Sequence, residues 1–173
     1  MIEKEWETIN HLPAVVVINQ AGYRCGYVGI MEDHILYRKH YSEPVNELHP
    51  YFDKILREPF EMEKLGMNRL FISLYKDPLP ASVLKAHGGI TYSGNNLTSL
   101  PRSERIWWFG FDCAHYEDLP DPKYNNLEYF FNVEGIVRTL DYCIEECENL
   151  AEQLVDIQGT YNYRKYLLSL KFS

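Results

Sequence analysis

Ile106-Trp107-Trp108-Phe109-Gly110-Phe111 is the most aromatic stretch of the chain. A short run of this kind, apolar nearly throughout, fits a strand buried on both faces and predicts a central strand of a sheet. Side chains alternate across a strand, so Trp107 and Trp108 must point to opposite faces. At most one of them can face a ligand; core packing of both is the plainer expectation. Asp112-Cys113-Ala114-His115 follows directly, then Glu117, Asp118 and an acidic loop with Pro120 and Pro122. An acid and an imidazole thus emerge where the apolar run stops.

Downstream, Val133, Ile136, Leu140, Cys143, Cys147, Leu150, Leu154 and Ile157 recur every three or four residues. Glu134, Asp141, Glu145, Glu148, Glu152 and Asp156 fall mostly outside that stripe. The pattern predicts one long amphipathic helix packed on a sheet, from about Asn132, a good N-cap type, to Ile157. Cys143 and Cys147 sit i, i+4 on its apolar face and read as small core residues, since no cysteine belongs to a C-x-x-C pair. Cys113 reads as a buried thiol in preference to a nucleophile. The tail with Tyr161, Tyr163, Tyr166, Leu167 and Leu170 predicts a last strand or a short helix.

Upstream, Pro13 to Asn19 is β-branched and nearly all apolar, and Tyr23 to Ile30 reads as the return strand of a hairpin. Gly26 and Gly29 in that return strand suggest a bulge or a close approach by another group. Between residues 31 and 66 the prolines at 44, 50 and 59 break the chain, with helical turns expected at Tyr51–Arg57 and Phe60–Leu65. Met67 to Tyr75 predicts a further strand. Val83 to Ser93 predicts another, interrupted by Gly88 and Gly89, with Leu84, Ala86, Ile90 and Tyr92 on one face and Lys85, His87, Thr91 and Ser93 on the other. The resulting fold class is α+β: a mixed, mostly antiparallel sheet packed by one long C-terminal amphipathic helix, in a single domain over residues 1–173.

Seventeen Lys and Arg against 25 Asp and Glu leave a net charge of −8, and the cations are scattered. That argues against duplex nucleic acid, which needs a basic stripe to release counterions. It does not exclude one local pocket for a small phosphate. No apolar run approaches the ~20 residues that would cross a bilayer. Met1 to Asn10 has four charged residues and no apolar h-region, so no signal peptide or membrane partner is expected, and the location expected is the cytoplasm.

His87-Gly88-Gly89-Ile90-Thr91-Tyr92 is the first candidate site, because paired glycines let a backbone turn sharply or approach a ligand closely. The plain alternative is a bulge beside an exposed histidine. The second candidate is Asp112 with His115. With His87 these are acceptable donors for a divalent metal such as Zn²⁺ or Mn²⁺, or they form an acid–base pair in which carboxylate orients imidazole. A structural Asp–His hydrogen bond is the competing reading. Trp107 or Trp108 could stack a base while Arg102 or Arg105 holds a phosphate. His34, Tyr37, Arg38, Lys39, His40 and Tyr41 form a basic, aromatic group after the hairpin. Walker, G-x-S-x-G, H-E-x-x-H and EF-hand patterns are absent from the sequence.

Cys25-Gly26-Tyr27-Val28, His34 with Leu36-Tyr37, the His87 to Tyr92 block, Trp107 to His115 and Leu150-Ala151-Glu152-Gln153-Leu154 together resemble an uncharacterised family of small bacteriophage and prophage proteins. The resemblance implies a phage setting, the cytoplasm of a host cell, and by association a host defence component as partner. The function expected first is binding of a small polar or phosphorylated molecule, such as a nucleotide signal. His87, Gly88, Gly89, Thr91, Asp112 and His115 would form that site, with Trp108, Arg102, Arg105, His34 and Tyr37 around it. The alternatives are a metal-dependent hydrolase using His87, Asp112 and His115, and a decoy that binds a host protein. A homo-oligomer is left open.

Overall fold

A computed structural model describes residues 1–49, 51, 78–97, 104–125 and 134–170. The hairpin forms where the β-branched run stops. β2 (Pro13–Ile18) and β3 (Arg24–Ile30) pair antiparallel. Their turn is tied by the Asn19 side chain, whose Oδ1 accepts from the backbone N–H of Ala21 at 2.9 Å and of Tyr23 at 3.0 Å. This is the local capping chemistry that makes asparagine a turn residue.

The first residues, for which the sequence suggested no element, form β1 (Ile2–Glu7), antiparallel to β2. Its Lys and Glu side chains suit an edge, where charge discourages pairing with another chain. β5 (Trp107–Asp112) pairs with β3 on one side and with β4 (Tyr92–Gly94) on the other, giving the order β1-β2-β3-β5-β4. The strand read as central is therefore interior, and β3 holds the middle.

One face of this sheet carries Ala14, Val16, Val28, Ile30, Phe109 and Phe111, all buried with residues of the long helix. The other carries Val15, Val17, Cys25 and Trp108. The return strand is crowded, as its glycines suggested. A Cβ at Gly26 would lie 2.4 Å from the Phe111 ring and 2.8 Å from Cys147 Sγ. Gly26 and Phe111 are cross-strand partners, so the missing side chain is the space the aromatic ring fills.

Three expectations change. The strand expected over Val83–Ser93 is mostly not one. Pro80–Val83 is a single helical turn (α1) with proline at its start, where the missing N–H costs nothing. Gly88 (φ +64) and Gly89 (φ +97) then take left-handed conformations that break any pleat, and only Tyr92–Gly94 pairs. The two-face division of Lys85, His87, Thr91 and Ser93 falls with it.

The helix also starts later. Residues 134–139 precede it and include β7 (Ile136–Val137), which pairs parallel with β6 (Asp118–Leu119). The helix α2 runs Leu140–Leu170. Thr139 caps it: its Oγ1 accepts from the Tyr142 N–H at 3.1 Å and its carbonyl from Cys143 N–H at 3.1 Å. Ile136, expected on the apolar stripe, is 53 % exposed in the strand before the helix. Cys143, Cys147, Leu150, Ala151, Leu154 and Ile157 are buried against the sheet. The residues after Gly159 continue the same helix instead of forming a separate element. A single interior glycine costs only about 1 kcal/mol relative to alanine, and no proline follows it.

The strand expected at Met67–Tyr75, the turn at Phe60–Leu65, all but Tyr51 of Tyr51–Arg57, and Asn132, Val133 and Arg102 lie outside the described residues. Among the described residues, no helix is long and apolar enough to cross a membrane.

Candidate functional site

Past the end of β5, the chain turns through His115 and reaches Asp118, whose side chain is only 1 % exposed. A carboxylate so placed must be paired or hydrogen-bonded to stay charged. Asp118 Oδ2 accepts from His87 Nε2 at 2.7 Å and from the His115 backbone N–H at 3.0 Å, while Oδ1 accepts from Arg138 Nε at 2.7 Å. Burial pushes this carboxyl upward, but the hydrogen bonds from Arg138, His87 and His115 outweigh it and hold the group below its usual range.

The His87 ring continues the chain. With Nε2–H given to Asp118, neutral His87 has an acceptor at Nδ1, and the Tyr142 hydroxyl lies 2.9 Å from it. The Tyr142 ring also meets His87 edge-on at 5.6 Å, and the Arg138 guanidinium stands 5.1 Å from the Tyr142 ring centre. His115 packs beside His87, ring centres 5.3 Å apart. Gly88 makes room for it: a Cβ there would lie 1.7 Å from His115 Nε2, quite apart from the strain of φ +64. The paired glycines therefore make the sharp turn their motif suggested, and the group that comes close, at Gly88 alone, is the His115 ring where a ligand was expected.

This cluster borders a cleft of about 590 Å³ between the His87 turn and α2, lined by His87, Tyr142, Glu146, Asn149, Glu152 and Gln153, with Lys85 and Ala86. Gln153 clamps the turn to the helix. Its Oε1 accepts from Lys85 N–H at 2.7 Å and its Nε2 donates to the Lys85 carbonyl at 2.9 Å.

A second buried network supports the first. Arg24 is 7 % exposed; it gives two hydrogen bonds to Glu3 (2.7 and 2.9 Å), one to Asp121 (2.7 Å) and one to the Arg138 carbonyl (2.8 Å). Arg138 is thus held at its backbone by one network and at its guanidinium by the other.

The expected residues fall as follows. His87, Gly88 and His115 come together. Asp112 does not join them: it is 2.9 Å from Thr91 Oγ1 and 3.1 Å from Ala114 N–H, accepting from both. Asp118 holds the position expected of it. Thr91 is exposed and reaches Asp112, and Gly89 completes the turn. Trp108 is 5 % exposed in the cluster on the sheet face away from α2, so it packs and cannot stack a ligand. Trp107 donates to the Lys39 carbonyl at 3.0 Å. Arg105 lies in an exposed turn ahead of β5, and Tyr37 bonds to the Glu104 carbonyl in the same turn. Neither lines the cleft.

Among the described residues, no group of three His, Cys, Asp or Glu side chains is placed to hold a metal ion. His87 has both ring nitrogens occupied, and Asp112 both oxygens. Cys113 is buried with its sulfur 3.7 Å from Cys143 Sγ. That contact and burial push its thiol up, so it stays protonated and is a poor nucleophile.

His34 has a fold role. Its Nδ1 accepts from Leu36 N–H at 3.0 Å, which puts the proton on Nε2, 2.9 Å from the Leu154 carbonyl. Burial lowers its pKa below the ordinary 6.5. The unfolded chain therefore takes up the proton first. The stability His34 contributes is complete above pH 6.5 and is lost as pH falls through the folded-state value. Thermal melts should show a drop between pH 7.5 and 5.5 that is smaller in His34→Gln; equal drops in both would remove His34 from the account.

Arg138, Tyr142 and Arg24 carried no sequence signal, because an isolated arginine or tyrosine has no spacing to mark it. Asp118 stood in plain view beside the Asp112–His115 pair, but its burial is decided by His87 and Arg138, 31 and 20 positions away, and through Arg138 by the more remote Arg24 and Glu3. Comparison of the chain with protein-family models, with curated proteins and with solved structures gives no match.

Proposed function

We propose that this chain binds a small polar molecule in the cleft beside His87 and Tyr142, and that the ligand meets it with amine or hydroxyl groups. The observation that carries this reading is the Asp118–His87–Tyr142 chain at the wall of the cleft. It fixes the direction of two hydrogen-bonding side chains before any ligand arrives, which lowers the ordering cost of binding. Burial pushes the Tyr142 phenol up to about 12, so it meets a ligand as a neutral hydroxyl. A cleft of about 590 Å³ is in the range that small molecules occupy.

Glu146 and Glu152 line the same cleft and favour donors over phosphates. This shifts the expectation from a phosphorylated ligand to one rich in N–H or O–H groups. In the phage setting that the resemblance implies, the ligand would be a host molecule kept from its receptor. A metal-dependent hydrolase has less support, since Asp112 and His87 are committed to other partners.

Mass spectrometry of small molecules released from the purified protein tests the reading. An amine- or hydroxyl-rich compound should be retained by the wild type and lost from a Glu146→Gln/Glu152→Gln variant. Tyr142→Phe should weaken its rebinding by roughly two- to tenfold, the worth of one neutral hydrogen bond. Identical material released from wild type and double variant would sink the proposal.

A further inference from the structure

Beyond the sheet, α2 changes character. Gln158–Leu170 contains Arg164 and Lys165 and no carboxylate, in a chain of net charge −8. The core stripe of Leu150, Leu154 and Ile157 continues by helical spacing to Tyr161, Arg164, Lys165 and Leu168. Here that side no longer meets the sheet. It faces the 3-10 turn Asn46–Leu48, and the two enclose a cleft of about 640 Å³.

We propose that this cleft is a second binding site, for a small phosphorylated molecule that carries an aromatic ring, the chemistry of a nucleotide. Arg164 and Lys165 line it against one carboxylate, Glu47. Neither cation makes an ion pair with a described residue, so neither must break a bond to receive an anion. A guanidinium fork beside an ammonium suits phosphate oxygens. Tyr161 is half-buried in the wall and offers a ring face, and Leu168 an apolar surface. The negative end of the helix dipole acts only over the last turn, and Arg164 and Lys165 precede that turn. The polarity is opposite to that of the His87 cleft, so the two sites select different ligands.

Calorimetric titration of the full chain with ADP and with inorganic pyrophosphate at low salt tests this. Both should bind, more weakly as salt rises. Arg164→Ala/Lys165→Ala should weaken both by at least about tenfold, a loss of about 1.4 kcal/mol. Tyr161→Ala should weaken ADP and leave pyrophosphate unchanged, and Tyr116→Ala, at a fully exposed position outside both clefts, should change neither. These positions are at least partly exposed, and circular dichroism would verify that each variant keeps its helix. Absence of binding by the wild type, or undiminished binding by the Arg164/Lys165 variant, overturns the site. A Tyr161→Ala variant that binds ADP as well as the wild type overturns the aromatic half of the assignment.

Discussion

Asp118→Ala is expected to lose about 3–5 kcal/mol of stability, read from urea melts at pH 7, because it leaves Arg138 without its charge partner and His87 without its hydrogen-bond acceptor. The carboxylate is 1 % exposed and accepts from Arg138, His87 and the His115 backbone. Removing it costs more than those bonds contribute, since the half-buried Arg138 guanidinium is left without its counter-charge. The loss should depend on pH with a definite sign. The folded-state pKa of Asp118 lies below its ordinary 3.8, so its contribution is present above 3.8 and disappears as pH falls through the folded value. The gap between wild type and variant should therefore close on acidification below pH 3.8. A gap under about 1 kcal/mol at neutral pH would show that the network is a surface feature of little energetic weight.

Phe109→Ala is expected to cost a similar amount, about 3–5 kcal/mol, for a different reason. Phe109 is 0 % exposed and sits in β5 between Val28 on one neighbour strand and Ser93 on the other. Its removal opens a cavity in the cluster that joins sheet to helix. No charge is involved, so this loss should persist on acidification, where that of Asp118→Ala fades. Tyr116→Ala is the contrast: Tyr116 is 98 % exposed, and its change should stay within about 0.5 kcal/mol. A Phe109→Ala variant as stable as Tyr116→Ala would mean that the sheet is not packed as described.

Period alone carried much of the fold. The β-branched run in Pro13–Ile18, the aromatic run in Trp107–Asp112 and the three-and-four spacing of Cys143, Cys147, Leu150, Leu154 and Ile157 each state locally which side is buried. Those elements were legible because burial leaves a period in the sequence that needs no knowledge of the partner. The glycines of His87-Gly88-Gly89 were legible as a turn for a related reason, since only glycine adopts φ +64 and φ +97 at little cost.

Other features were decided between segments distant in sequence. Asn132 and Thr139 are both acceptable caps by residue type. The helix starts after Thr139 because residues 136–137 pair with 118–119, a ladder no local pattern announces. β1 takes its place as an edge because β2 offers it a partner, not because its charged sequence asks for a strand. Most tellingly, Asp112, Glu117 and Asp118 all stood near His115, and the sequence reading paired Asp112 with His115 and expected His87 to join them. The fold places Asp118 there, between an arginine 20 residues away and a histidine 31 residues away. Side-chain type states what a residue can bond; which partner it bonds depends on where the turns deliver the chain, and that is a property of the assembled tertiary structure alone.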